Sequence, residues 1–408
     1  MIKNFLLIAL RNLKKDLWYS LLNILGLTIG ITFSLFLIFY ITDELNYDRQ
    51  NKKADRIYRI NTYVHEKDKN TDMAITQLPL GPTMKKDYPE VEEMVRVASR
   101  ERTLFKSGDN SFYETKVYYA DSTIFNVFTH HFVEGNGATA LNAPFDIVIS
   151  KSLAKKYFGN TPAIGKTLRT VYDVYKVTGV IEDVPKNSHI HYDMLISMST
   201  MLRNNQGPDN WGNFGNFTYL LLKPGAHPQE LNKKLADVYK KYVDVIFKQF
   251  NITMRYDLQN ITSIHLHSNL QFEPEELGSM SYIWIFSAVA FFMLLIACIN
   301  YMNLTTARSA RRAKEIGIRK VTGSSKKQLV AQFLGESLFT SLVAVLLSVL
   351  LVFLLLSTLT LSQAKHLLSA TCCSRQTLCC CWELYYSQAW SAEVILHFIC
   401  LDLSPLGY

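Results

Sequence analysis

The sequence predicts α-helical transmembrane segments combined with an α+β extracytoplasmic domain. Three stretches carry no charged residue, Leu17 to Thr42, Leu277 to Ala307 and Ser337 to Ala364. Each exceeds the roughly 20 residues a helix needs to cross a bilayer. Between the first and second lies a section of ordinary domain size in which strand-like and helix-like patterns mix. Between the second and third lies Arg308 to Gln328, RSARRAKEIGIRKVTGSSKKQ, with eight Lys or Arg against the single acid Glu315, in a chain whose net charge is +8. A basic loop between two spans marks the cytoplasmic side, because Lys and Arg cross a bilayer poorly.

Taken in order, residues 1–16 set Lys3, Arg11, Lys14 and Lys15 among Phe5, Leu6, Ile8, Leu10 and Leu13. That pattern predicts a basic amphipathic helix on membrane lipid at the inner surface, with the N-terminus inside. The apolar run that follows is too long for a signal-peptide core and lacks a small-x-small site, so an uncleaved anchor is expected. The first span is placed at 17–42. Its Gly26 and Gly30 form a GxxxG pair, which fits close approach of another helix and equally the general glycine content of membrane helices. Residues 43–278 are expected outside. Pro79–Tyr88 reads as a short helix, Val91–Val97 and Thr115–Ala120 as strands. DIVISKSLAKKYFG turns from period two to period 3.6, a strand running into a helix. VYKVTGVIEDVP is a strand stopped by Pro185, and FTYLLLKPGA a strand ending in a Pro-Gly turn. Pro228–Val245 puts Leu231, Leu235, Val238, Tyr239 and Tyr242 on one helix face. The second span is placed at 279–304, a cytoplasmic loop at 305–332 and the third span at 333–362. Glu336 opens that span one turn from the basic loop, where an ion pair with Lys326 or Lys327 is expected. Residues 363–408 form an atypical tail. Six of the seven cysteines, Cys372, Cys373, Cys379, Cys380, Cys381 and Cys400, lie there without CxxC spacing, a poor metal or redox pattern. The tail reads as an out-of-register translation, and the chain as truncated or frameshifted after its third span.

The basic loop is patterned as well as charged. Glu315 lies four residues from both Arg311 and Arg319, the helical spacing of ion pairs. Gly323 breaks the pattern, and Ser325 with Gln328 reads as a capping box that opens the next helix. Charge alone supports a topogenic loop near anionic lipid. The run AKEIGIRKVTGSSKKQLVAQFLGESL, however, closely resembles the cytoplasmic coupling loop of the FtsX/MacB family of ABC-transporter permeases. RNLKKDLWYSLLNILGLTIGI resembles the start of such permeases. YFGNTPAIGKTL, VTGVIEDVPKNSHIHYDMLIS and TYLLLKPG resemble their MacB-like periplasmic core domain. The resemblance covers about residues 1–356. It implies that the loop docks on a separate ABC-type ATPase subunit, with Arg308, Arg311, Arg312, Lys314, Glu315, Ile316, Gly317, Ile318, Arg319 and Lys320 as the coupling residues. It implies a homodimer, or pairing with a second permease half, in the bacterial inner membrane. Family members have a fourth span where this chain has its tail.

Other chemistry finds little support in the residues. GNTPAIGKT, Gly159–Thr167, imitates a phosphate-binding loop, but five residues separate its glycines instead of four, and it follows a helix instead of a strand. His189 and His191 read as an HxH pair on one face of a strand, and His265 and His267 repeat the spacing. The four would suit zinc only if they met in space, and a packed or solvated face is the preferred reading. His130 and His131 point to opposite faces of a strand. Tyr118, Tyr119 and Trp211 are read as packing rather than as a substrate surface. No GxSxG, HExxH or dinucleotide-binding turn is present, and no nucleic-acid motif. No cofactor or metal site is assigned.

The expected function is therefore that of a permease subunit without an ATPase motif, which couples ATP hydrolysis by its partner to movement of the extracytoplasmic domain. Efflux of antimicrobial or peptide-like substrates and lipoprotein release are both compatible. A non-transporting scaffold or sensor that regulates an extracytoplasmic partner is the alternative.

Overall fold

The structure, a computed structural model, describes residues 17–67, 69–204, 209–307, 318, 320–322 and 325–359. The chain divides into two compact units, residues 43–280 and the segments on either side of them. The readings for residues 1–16 and for the tail at 363–408 lie outside the described residues.

Among the described residues, three helices are long and apolar enough to cross a membrane. Helix α1 is Leu17–Leu45. The others, Met280–Ala307 and Lys326–Leu359, are labelled α6 and α7 in chain order. Helix α1 continues past Thr42, where the uncharged stretch ends, so Glu44 sits on its final turn.

Residues 43–280 fold as an α+β domain. Its strands are β1 (Ile57–His65), β2 (Asn70–Met73), β3 (Thr76–Gln77), β4 (Val91–Ser99), β5 (Thr103–Ser107), β6 (Asn110–Glu114), β7 (Val117–Ala120), β8 (Phe132–Gly135), β9 (Asp146–Ser150), β10 (Thr167–Arg169), β11 (Val174–Ile181), β12 (Met194–Ser197), β13 (Phe214–Leu222) and β14 (Thr253–Asn260). Among the described residues they join in one sheet in the order β14-β1-β13-β4-β7-β12-β9-β11-β10-β5-β6, with β2, β3 and β8 branching from β1, β13 and β11. The sheet is mixed: β12 runs parallel to β7 and β11 parallel to β9, with the other pairs antiparallel.

The period of two explains how one sheet serves several cores. On β13, Phe217, Tyr219 and Leu221 enter a core on one face, while Leu220 and Leu222 enter another on the opposite face. That is why FTYLLL reads as a continuous apolar run: a central strand is buried on both sides. The second core is completed by helix α2 (Leu80–Asp87), through Leu80 and Met84, and by helix α4 (Pro228–Val238), through Leu231, Leu235 and Val238. At the other end of the sheet, Ile147 and Ile149 of β9 meet Leu153 and Tyr157 of helix α3 (Lys151–Phe158). Ser150 caps α3 by accepting from the Leu153 amide, and Gly159 ends it at φ 64°, a positive φ that glycine adopts without a Cβ clash. The strand-to-helix switch read in DIVISKSLAKKYFG is thus observed.

Two readings need correction. The helix expected over Pro228–Val245 keeps its α geometry only to Val238. Residues Tyr239–Val243 widen into a π-turn before a short helix at Asp244–Phe247. The widening goes with an added contact, since Tyr242 lies flat against Trp211 with ring centres 5.1 Å apart and donates to Asp87. The histidine pairs are also not strand pairs. His189 and His191 lie in the connection between β11 and β12, and His265 and His267 lie on helix α5, Ile261–His267. Each pair therefore lacks the shared face that a strand would give it.

Candidate functional site

The helices α1, α6 and α7 pack through a narrow apolar seam: Leu27, Ile31 and Leu35 against Ala297, Tyr301, Ala344 and Val352. Gly30 permits the closest approach, because a Cβ there would lie 2.6 Å from the Ala297 Cβ. Hydroxyl side chains add hydrogen bonds across the seam. Ser348 donates to the Thr28 carbonyl at 3.0 Å, Ser34 to the Ala290 carbonyl at 3.2 Å, and Tyr301 meets Thr340 at 3.4 Å. In a membrane such bonds hold helices together where apolar burial gives little drive.

Of the ten candidate coupling residues, Arg308, Arg311, Arg312, Lys314, Glu315, Ile316, Gly317 and Arg319 lie outside the described residues. Ile318 and Lys320 are helical and exposed, and Ile318 keeps 59% of its surface open. The Thr322 amide donates to the Ile318 carbonyl at 3.0 Å, an α-helical turn, and the Leu329 amide to the Ser325 carbonyl at 3.2 Å, the start of α7. The Gln328 side chain of the expected capping box, and the Lys326 and Lys327 side chains expected to pair with Glu336, are outside the described residues.

A histidine–carboxylate cluster lies within residues 43–280. A cavity of about 370 Å³ is lined by Tyr47, Ser188, His189, His191, His265, Glu275, Glu276 and Leu277. His189 is buried between Asp48, 2.8 Å from its Nδ1, and the Tyr219 hydroxyl, 2.8 Å from its Nε2. Burial pushes the Tyr219 hydroxyl far above its ordinary range, so it stays protonated between His189 and the core. His191 pairs with Glu275 at 3.2 Å and His265 with Glu44 at 2.7 Å. Tyr47 stacks on His265 at 3.4 Å between ring centres. Its hydroxyl is pushed up to about 12 by burial and by the carboxylates Glu44, Asp43, Asp48 and Glu275. Three of the four histidines singled out in the sequence therefore come close to one another. Each is engaged by an acid of its own, and among the described residues no group of three His, Cys, Asp or Glu side chains is arranged to hold a metal ion.

The opposite side of the 188–192 connection borders a second cavity, of about 220 Å³, lined by Gln50, Phe128, His130, Glu182, Ile190 and Tyr192 among others. His130 lies just ahead of β8, outside any strand, with Nε2 against the Tyr192 hydroxyl and Nδ1 3.2 Å from the Phe128 carbonyl. Burial pushes it down to about 4, the Phe128 carbonyl opposing and His131 assisting. Nothing in its local sequence marks it as special; only the fold encloses it.

The remaining sequence candidates are packing groups. Tyr118 is buried, Tyr119 receives a hydrogen bond from Arg100, and Trp211 stacks on Tyr242. In the segment that imitates a phosphate loop, the Ala163 and Ile164 amides donate to the Glu134 carboxylate at 3.0 and 3.3 Å. The turn is occupied by an acid of the chain itself.

Three membrane-length helices, with a mixed-sheet domain inserted after the first and a basic segment after the second, define a polytopic membrane protein with one large extramembrane domain. The family profile described as the MacB-like periplasmic core domain matches residues 20–238, more than half of the chain, and that of the FtsX-like permease C-terminal matches residues 287–372. The chain belongs to the FtsX/MacB family of ABC-transporter permeases. It is 26% identical over 237 residues to the macrolide export ATP-binding/permease protein MacB of Pasteurella multocida, covering 56% of this chain and 33% of the relative. It is 22% identical over 198 residues to the uncharacterized ABC transporter permease YknZ of Bacillus subtilis, covering 48% of this chain and 45% of that one. A crystal structure of a domain of a Porphyromonas gingivalis protein described as a permease is 25% identical at a TM-score of 0.47, covering 52% of this chain and 91% of that one. The chain thus spans about a third of the length of the MacB relative, and what it aligns with is the permease part.

Proposed function

We propose that the chain is a permease subunit that takes its energy from a separate ABC-type ATPase and transmits it to an extracytoplasmic domain. The observation that carries this reading is the order of parts. A domain matching the MacB-like periplasmic core and a helical part matching the FtsX-like permease follow one another on one chain, with the basic segment 308–328 between its second and third membrane-length helices. The ATPase would push on that segment, with Arg311, Glu315, Ile316, Gly317 and Arg319 forming the docking face and Arg308, Arg312, Lys314, Ile318 and Lys320 flanking it. Membrane helices are stiff because their backbone hydrogen bonds are internal, so a displacement at one end reaches the other. Helix α1 suits this role, since it runs unbroken from Leu17 to Leu45. In this reading the N-terminus is cytoplasmic, the protein sits in the bacterial inner membrane, and a second copy or second permease half completes the transporter. The substrate class is efflux of antimicrobial or peptide-like compounds, or release of lipoproteins.

Co-purification of an ATPase with the full chain from native membranes tests the partnership. Glu315→Lys and Gly317→Trp should leave membrane insertion intact and abolish the response of ATP hydrolysis to the permease. A normal response in both variants overturns the docking assignment.

A further inference from the structure

We propose that Glu44, Tyr47, His265 and Gly278 form a clamp that ties together the two stems of the mixed-sheet domain, the one that leaves α1 and the one that leads into α6, so that the stems move as one body. Glu44 stands on the last turn of α1. Its Oε2 lies 2.7 Å from the His265 Nε2, and the two side chains keep only 15% and 6% of their surfaces exposed. The Tyr47 ring covers the imidazole in a parallel stack, 3° from coplanar. The return stem reaches the same point through Gly278, two residues ahead of α6. A Cβ on Gly278 would lie 2.6 Å from the Glu44 Oε2 and 2.7 Å from the His265 Nε2. Its φ is not in the left-handed range, so the backbone makes no demand for glycine there. Space is the reason: a side chain would wedge the Glu44–His265 hydrogen bond open.

Each stem is also anchored separately to the body of the domain, the first to the β11–β12 connection and the second to β1. Asp48 of the first stem is buried and accepts from the His189 amide and ring. Glu273 of the second receives two hydrogen bonds of 2.6 Å from the buried Arg59 of β1. His265 is fixed in turn, because Ile261 and Ile264 of α5 are in the core and Asn260 caps the helix through the Thr262 amide. The meeting of Glu44, His265 and Gly278 joins the two stems to each other as well as to the body of the domain. Movement of the first membrane helix therefore passes directly to the return stem without first deforming the sheet; that part of the inference rests on the transmission role proposed above.

Hydrogen exchange of the full chain in lipid nanodiscs tests the clamp without any ATPase. Gly278→Val and Glu44→Ala should each raise exchange about tenfold in both segments, 43–49 and 261–279, while the amides of β4 and β11 keep their protection. Glu44→Gln, which can still bond His265, should keep both segments protected. Exchange that rises only in the segment carrying the substitution, or in neither, overturns the clamp. Failure of the docking assignment would appear instead as normal ATPase coupling in Glu315→Lys and would leave these exchange patterns unchanged.

Discussion

Single buried polar groups hold the mixed-sheet domain together at points that no local pattern announces. Asp48 is the clearest. It takes φ 61°, a conformation that Asp tolerates better than most residues, and it is fully buried. Its carboxylate serves the amide and ring of His189, 141 positions away in sequence. Asp48→Ala would orphan those donors in the interior and should cost about 3 kcal/mol of domain stability, read from the urea midpoint of the full chain by pulse proteolysis; a loss under 1 kcal/mol would contradict the account. His130 makes a different prediction. Its folded value is near 4 against an ordinary 6.5, so the folded state favours the neutral ring. Above pH 6.5 both states are neutral and the contribution is complete. As pH falls from 6.5 to 4 the unfolded chain takes up the proton first, and stability drops by up to roughly 3 kcal/mol before levelling off. His130→Gln should remove that part of the acid sensitivity, so the gap between wild-type and variant urea midpoints should change through this window and nowhere else.

At the scale of elements, pattern reading succeeded where a segment's own residues carry its cap or its burial pattern, and failed where a remote side chain shapes the backbone. The strand-to-helix switch at Ser150 was legible because its cap lies three residues from the amide it binds. The apolar run of β13 was legible because a strand buried on both faces needs no alternation. The connection carrying His189 and His191 was misread as strand because what shapes it is Asp48, and Tyr219 across the core. The helix from Pro228 was legible in extent because its apolar spacing continues through Tyr242, but not the π-turn at Tyr239–Val243, which goes with the stack of Tyr242 on the remote Trp211. For the GxxxG pair, the sequence supports close packing and mere glycine abundance alike, and the geometry at Gly30 decides for packing. Gly30→Leu should therefore separate α1 from α6, since even a Cβ falls 2.6 Å from the Ala297 Cβ. Overpacking of this kind costs about 1–3 kcal/mol. The variant should be several-fold more sensitive to protease in detergent, and Ala297→Gly should restore part of the resistance. Equal sensitivity of Gly30→Leu and wild type would place the helix contact elsewhere.

For the whole molecule, the coupling segment 308–328 was read from charge and the family resemblance, and its described residues show the turn at Ile318–Thr322 and the start of α7. Charge and topology still make a sharp prediction. One membrane-length helix, α6, separates the mixed-sheet domain from the basic segment, so a spanning α6 puts them on opposite sides of the membrane. Which side each takes is set by Lys and Arg, and eight of these lie between Arg308 and Gln328. Holding that segment inside is favoured by about 1 kcal/mol for each basic residue near an anionic inner leaflet, and the sum outweighs any opposing bias from the charge-balanced domain. A site-specific protease sequence inserted at the exposed β5–β6 turn, Gly108–Asp109, should be cut from outside intact spheroplasts. The same sequence inserted after Ser309 should be cut only once the membrane is broken. Replacing Arg308, Arg311, Arg312 and Lys314 with Gln should weaken this asymmetry and give a mixed population. Cutting after Ser309 in sealed spheroplasts would put the basic segment outside, beyond the reach of a cytoplasmic ATPase, and the transmission reading would fall with it.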